Sequence, residues 1–181
     1  MTEDYLAYYN LEAYLFEVVR PRFHSQGELD AFDLFSIIIW KANRAKSKLA
    51  RRLARKAGTL EEAAKQFTSD LFRAESAKAR LLLAMEKWGF YLPMASAILS
   101  VLWPEEFTVF DVRVCDELDK FHALGNAKSD RVWPGYCDYC KAVAREVPGP
   151  LTLRDKDRYL WGRSSANQLV QDIAREFSPK A

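Results

Sequence analysis

Cysteine is scarce in this 181-residue chain, which has three in all. An odd number of thiols with no export signal beside them argues for free thiols and against a disulfide framework. Long apolar runs are missing too: FSIIIW, ending at Trp40, is far too short to span a membrane. Nor does the chain start with a basic stretch followed by an apolar one, so export is not expected. Glycine and proline number seven each, and there is no internal repeat, no low-complexity segment and no strand-like alternation. The expectation is a soluble, intracellular, cytoplasmic protein with no membrane partner.

What is present is apolar and helical in spacing. Apolar residues make up 49% of the chain and aromatics 13%, enough for a chain of this length to bury a core without staples. Leu6, Tyr9, Ala13 and Phe16 recur at helical intervals, and Pro21 is expected to end that helix, leaving RPRFHSQGELD as a loop with a solvated His24. Asp30 is placed to cap a helix running from Phe32 through Leu53. Gly58 then closes it, and Thr59 with Glu62 forms a capping box for the next. Ser69 to Arg73 reads as a connection, and Glu75 to Trp88 as another helix with Leu81, Leu82 and Met85 facing in. Beyond these, Pro134 starts a helix with Tyr136, Cys140, Val143 and Ala144 inward. Arg154 to Trp161 reads as a short helix, and Ser164 to Phe177 as an amphipathic one that buries Leu169, Ile173 and Phe177. The fold class is all-α.

Charge is unevenly distributed. Lys41, Arg44, Lys46, Lys48, Arg51, Arg52, Arg55 and Lys56 fall in sixteen residues without an acid, in a chain whose net charge is only +2. The remaining 19 basic residues face 25 acids, so the excess of positive charge is local. A cluster of this kind favours a polyanion, because each cation that reaches a phosphate releases condensed counterions. Its apolar side is mostly alanine, which offers little to insert into a lipid surface.

Between Trp88 and Cys115 a short turn joins two helices. Gly89 can take a positive φ and Pro93 suits a first helical turn, so one helix ends near Trp88 and the next begins near Leu92 and stops at Pro104. A helix N-terminus at such a turn presents N–H groups and a positive dipole end to an anion. After that helix comes FTVFDVRVC, where Asp111 stands among Phe107, Val109, Phe110, Val112 and Val114 with Arg113 nearby. Asp116, Glu117 and Asp119 follow on what reads as an exposed helix ending around Gly125. The C-x-x-C of Cys137 and Cys140 has only Cys115 and a distant His122 to complete it, so neither metal nor cofactor is expected.

Residues Gly89, Phe90, Tyr91, Leu92, Pro93, Met94 and Ala95, with TVFDVRV from Thr108 to Val114, resemble the hairpin and acidic segment of the helix-hairpin-helix DNA glycosylase superfamily, the endonuclease III and 8-oxoguanine glycosylase group. The resemblance covers about residues 30 to 120, and Asp111 matches the family's catalytic aspartate. It implies one glycosylase-like domain over 1–181, with a central lobe of about 30–120 and a second lobe from 1–29 and 121–181. It further implies a nucleoid-associated enzyme of base-excision repair that binds double-stranded DNA and removes a damaged or modified base. On that reading Gly89, Phe90, Tyr91, Leu92 and Pro93 of the hairpin, with Lys41, Arg44, Lys48, Arg51, Arg52 and Arg55, contact nucleic acid. Tyr91 stands where the family has a second glycine, Pro93 where bifunctional members carry a Schiff-base lysine, and Arg113 where a histidine is usual. The expected activity is therefore that of a monofunctional N-glycosylase, a hydrolase. The alternatives are a non-catalytic nucleic-acid-binding module on the same scaffold and a helical interaction protein with no nucleic-acid role.

Overall fold

The computed structural model describes residues 5–127 and 129–177, and among them there is helix and no strand. Helix α1 comprises Leu11–Tyr14, a π-turn at Leu15–Val19 and Arg20–Gln26, with Asn10 accepting from the Ala13 N–H at its start. It passes through Pro21, where the sequence predicts its end. The widened turn explains this: the Arg20 N–H reaches back to the Leu15 carbonyl, so the backbone is already off the regular ladder where the proline ring would clash. Gly27, at φ +77°, ends the helix. His24 is consequently helical and not in a loop; it stays exposed, with its Nε2 2.7 Å from the Leu102 carbonyl and its ring against Phe23 and Trp103.

Helix α2 (Ala31–Ala42) starts on the Asp30 cap and buries Leu34, Ile37 and Ile38. The expected single helix through Leu53 is broken by a 3₁₀ turn at Asn43–Ala45, after which α3 (Lys46–Ala57) carries most of the basic run. The capping box of Thr59 and Glu62 opens α4 (Leu60–Arg73), which extends through the stretch expected to be a connection. Next come α5, built from Ala77–Leu82 and a π-turn at Leu83–Lys87, and α6 (Leu92–Leu102). Apart from Pro93, every residue of α6 is buried, so it forms the centre of the molecule. Small side chains at Ala95, Ser96, Ala97 and Ser100 let α2 pack closely against it.

Helix α7 (Val112–Leu118) begins at Asp111 and is stopped by Asp119 and Phe121, both with positive φ. It therefore ends short of Gly125, and a 3₁₀ turn at His122–Asn126 follows. Helix α8 (Ser129–Glu146) holds Pro134 internally, with Tyr136, Tyr139 and Val143 buried and Ala144 exposed. Helix α9 (Leu153–Phe177) is one continuous helix through Gly162, roughly 37 Å long at 1.5 Å per residue. Its first turns pack on α7 and α8. The expectation that Leu169 and Ile173 are buried is corrected: they are 64% and 54% exposed, because α9 runs beyond the helices it packs on, while the side chain of Phe177 lies outside the described residues. The buried side chains form one cluster from Tyr14 to Leu160.

Two tyrosines of α8 fix the extended segment that leads into Asp111. The Tyr136 hydroxyl accepts from the Thr108 N–H at 3.0 Å and donates to the Thr108 carbonyl at 2.5 Å, and the Tyr139 hydroxyl donates to the Val109 carbonyl at 2.8 Å. From the other side, the Ser96 hydroxyl of α6 accepts from the Phe110 N–H at 2.8 Å. Irregular backbone can be buried here because these hydroxyls stand in for a partner strand. Substituting Tyr136→Phe strands a buried N–H and carbonyl together, and chemical denaturation should show a loss of about 1–3 kcal/mol.

Candidate functional site

Asp111 serves two structural partners with its two oxygens. Its Oδ1 caps α7 by accepting from the Arg113 N–H at 3.0 Å, and its Oδ2 accepts from Lys41 Nζ at 2.5 Å. The pair is sheltered, with 13% of the Lys41 side chain and 19% of the Asp111 side chain exposed. Although Lys41 belongs to the basic run, it turns inward from the last turn of α2, so its expected place on the outer nucleic-acid-binding surface is corrected. The apolar neighbours of Asp111 in sequence divide: Phe110 and Val114 are buried, while Val112 is exposed.

The acid and the amine open onto a cavity of about 370 Å³. This is at the small end of the range for sites that hold a small molecule. Trp40, Lys41, Val109 and Asp111 line one part of it, Glu12 of α1 another, and Arg154, Asp157, Arg158 and Trp161 of α9 the rest. Arg154 is the hub of its polar wall: it donates to Glu12 at 2.5 Å and to Asp157, and its guanidinium lies 5.1 Å from the centre of the Trp40 ring. Arg158 adds bonds to Glu12 at 2.9 Å and to Asp155 at 2.9 Å. Sequence reasoning missed this half of the site. The signal was there, since Arg154, Asp157, Arg158 and Trp161 are spaced i, i+3, i+4 and i+7 and so share one helical face.

Burial and ion pairing pull the carboxyls of this wall in opposite directions. Burial would raise Glu12, but bonds and attraction from Arg154 and Arg158 outweigh it and hold the carboxyl below its ordinary range. Asp157 is 2% exposed, and burial pushes it up to about 6 against the opposing pull of Arg154 and Lys41.

The predicted cations that follow Lys41 lie on the 3₁₀ turn and α3. Arg44, Lys48, Arg51 and Arg55 are all exposed and fall at i, i+4, i+7 and i+11, one stripe along the 3₁₀ turn and α3. Among the described residues none of them has an acidic partner, whereas Arg20, Lys65, Arg80, Lys87 and Arg163 all do. Arg44 follows Lys41 by three residues, so the stripe begins within roughly 11 Å of the buried pair. At its far end the helix meets the hairpin: the Arg52 guanidinium lies 5.4 Å from the centre of the Phe90 ring, and Lys56 Nζ 5.5 Å from that of Trp88. Nε and Nη2 of Arg52 are buried without a hydrogen-bond partner.

The hairpin turn faces solvent at Gly89, with φ +70°, and at Tyr91, which is 75% exposed. Two predicted contacts are corrected here. Phe90 and Leu92 are 2% and 0% exposed and pack into the core, Phe90 against Phe67 at a ring separation of 4.9 Å. The expected cluster of free N–H groups is also reduced: Phe90 donates to the Ala84 carbonyl, Met94 and Ala95 donate to the Tyr91 carbonyl, and Pro93 has no N–H. Tyr91 and Gly89 border a groove of about 500 Å³ shared with Gly125 and Asn126.

Of the acids beyond Asp111, Asp116 is hydrogen-bonded to His122 and Glu117 is paired with Arg163. Among the described residues no group of three His, Cys, Asp or Glu side chains could hold a metal ion. Burial pushes the thiols of Cys115 and Cys140 up to about 12, which keeps them protonated and unreactive near neutrality.

Asp157 binds its proton more readily in the folded chain than in the unfolded one. Its contribution to stability is therefore fully present below its unfolded value of 3.8 and is lost as pH rises through about 6. Asp157→Asn removes that titration. Relative to the parent, the variant should gain about 2 kcal/mol between pH 4 and pH 7, measured by denaturation at each pH. Comparison with models of protein families, with curated proteins and with solved structures finds no match to this chain.

Proposed function

We propose that this chain is a DNA-binding protein of the helix-hairpin-helix glycosylase type that releases a damaged or modified base from double-stranded DNA. The observation that carries the reading is the placement of Asp111. It is a sheltered carboxylate at the mouth of a tryptophan-lined cavity, reached along a stripe of unpaired cations that starts three residues after its partner Lys41. Removing a base by hydrolysis requires stabilising positive charge as it develops on the sugar and positioning a water on that carbon. A carboxylate held from both sides is fixed in place for this, and Trp40 and Trp161 offer aromatic surfaces to a nucleobase drawn out of the stack. Arg44, Lys48, Arg51 and Arg55 would follow the phosphates, with the exposed Gly89 and Tyr91 gripping one further along. Arg52, whose guanidinium lies against the Phe90 ring, would add positive charge behind the same turn.

The second reading is a binding module without chemistry. It draws on the double engagement of Asp111, whose two oxygens already have partners in the folded chain. Base release from a panel of lesion-bearing duplexes separates the two. Asp111→Asn should lower base release by roughly 10²- to 10³-fold with little change in affinity; equal release by both proteins would remove Asp111 from the chemistry. Reversing the charge of Arg44, Lys48, Arg51 and Arg55 together should weaken duplex binding and flatten the slope of log affinity against log salt by about 3 to 4, near 0.9 for each phosphate no longer neutralised. An unchanged slope would exclude the stripe as the binding surface.

A further inference from the structure

Helix α9 turns an apolar face away from its own core. Gly162, Ala166, Leu169, Val170 and Ile173 are spaced i, i+4, i+7, i+8 and i+11, the pattern of one helical stripe. All five are exposed, Val170 to 68%. The helix is held to the body from another side: Leu160 is buried, Lys156 donates to the Ala144 carbonyl, and Arg163 pairs with Glu117 and Glu146. At 100° per residue, Leu160 lies roughly 130° around the helix from the centre of the stripe. None of the five lines the cavity beside Asp111, so the stripe and the cavity are separate surfaces of one helix. An apolar row turned to water, on a helix that runs beyond the helices it packs on, is a surface built to be covered.

We propose that a second copy of this chain covers it, with the two α9 helices packed antiparallel about a two-fold axis that passes between Leu169 and Val170. The stripe is complementary to itself in that direction. Its first half is small, Gly162 and Ala166, and its second half is large, Leu169, Val170 and Ile173. With Leu169 of one copy set against Val170 of the other, Ala166 meets Ile173 and Gly162 meets position 177, so the small end of each helix receives the large end of the other. Parallel pairing instead sets Gly162 against Gly162 and Ile173 against Ile173, which leaves a gap at one end and crowding at the other.

Charge selects the same occupant. Between positions 162 and 175 the charged residues are Arg163, Asp172 and Arg175. Arg163 is matched by Glu117 and Glu146, and Asp172 pairs with Arg175 at 3.2 Å. There is thus no excess charge to repel an identical helix, and no cationic rim to hold an anionic lipid surface or a phosphate backbone. Size sets the strength. The row from Gly162 to Ile173 is roughly 17 Å long at 1.5 Å per residue, and one helix width over that length falls short of the ~800 Å² per partner of a standard interface. The dimer is accordingly weak and reversible, half-associated at roughly 10 to 100 μM.

Sedimentation equilibrium of the full chain over about 1 to 500 μM should show the average mass rising toward twice that of the chain. Leu169→Glu combined with Ile173→Glu puts like charges into the interface and should keep the protein monomeric over that range. Its melting profile in dilute solution should match the parent's, since both side chains are exposed in the monomer. The register is read by disulfide trapping. A mixture of the Ala166→Cys and Ile173→Cys variants should give a covalent dimer under mild oxidation, and neither variant alone should exceed the background of the parent, whose own three cysteines make it the control. Identical positions of this kind lie about 10 Å apart along the axis in the antiparallel pair, too far for a disulfide. Should the double glutamate variant fail to fold, trapping in the mixture decides the matter. A monomer at every concentration, a dimer that survives the double substitution, or trapping by Ile173→Cys alone would each overturn the proposal. Binding of phosphatidylserine vesicles by an otherwise monomeric chain would overturn it too, and assign the stripe to a lipid surface.

Discussion

The ion pair between Lys41 and Asp111 joins the end of α2 to the start of α7 across seventy positions of sequence. Burying two opposite charges costs several kcal/mol of lost hydration for each, and their attraction offsets this only when the geometry is good and the remaining lone pairs are used. Both conditions are met: the second carboxylate oxygen is used in the helix cap, and the segment before it is clamped by Tyr136, Tyr139 and Ser96. A pair maintained at such cost adds less to stability than well-packed apolar side chains would. What it provides is a carboxylate and an amine at a defined separation, facing a cavity.

Charge is organised around that pair in two distinct ways. On the α9 side of the cavity, Arg154 and Arg158 are matched by Glu12, Asp155 and Asp157, giving a wall of fixed polarity and little net charge. Along α3 the cations lack acidic partners among the described residues, so their field extends into solvent. The first arrangement is local and directional, and the second is open to solvent and carries no fixed direction. Lys41 belongs by sequence to the second and by structure to the first.

The parts of this fold that are legible in sequence are those decided locally. Helical spacing gives the all-α class, Asp30 and the Thr59–Glu62 box mark helix starts, and Gly89 with Pro93 marks the hairpin. The misreadings share a cause: a non-local or cooperative effect overrides a local signal. Pro21 does not stop α1 because a π-turn has already shifted its hydrogen bonds, and Gly162 does not divide α9. At the site, Asp111 stands out for its apolar neighbours, but Glu12, Trp40 and the residues of α9 cannot be joined to it without knowing which helices meet. Phe90 and Leu92 look like turn residues in sequence, yet they face inward because a turn this tight sends alternate side chains to opposite sides.

The cavity is assembled from residues as far apart as Glu12 and Trp161. A chain made from its N-terminus exposes the cationic helix long before it can complete that wall, by about 5 to 20 s for the roughly one hundred intervening residues at usual translation speeds. During that interval the cations of α3 are already made while the cavity still lacks its α9 side. The cavity is thus completed late in synthesis, when the segment that forms α9 is made.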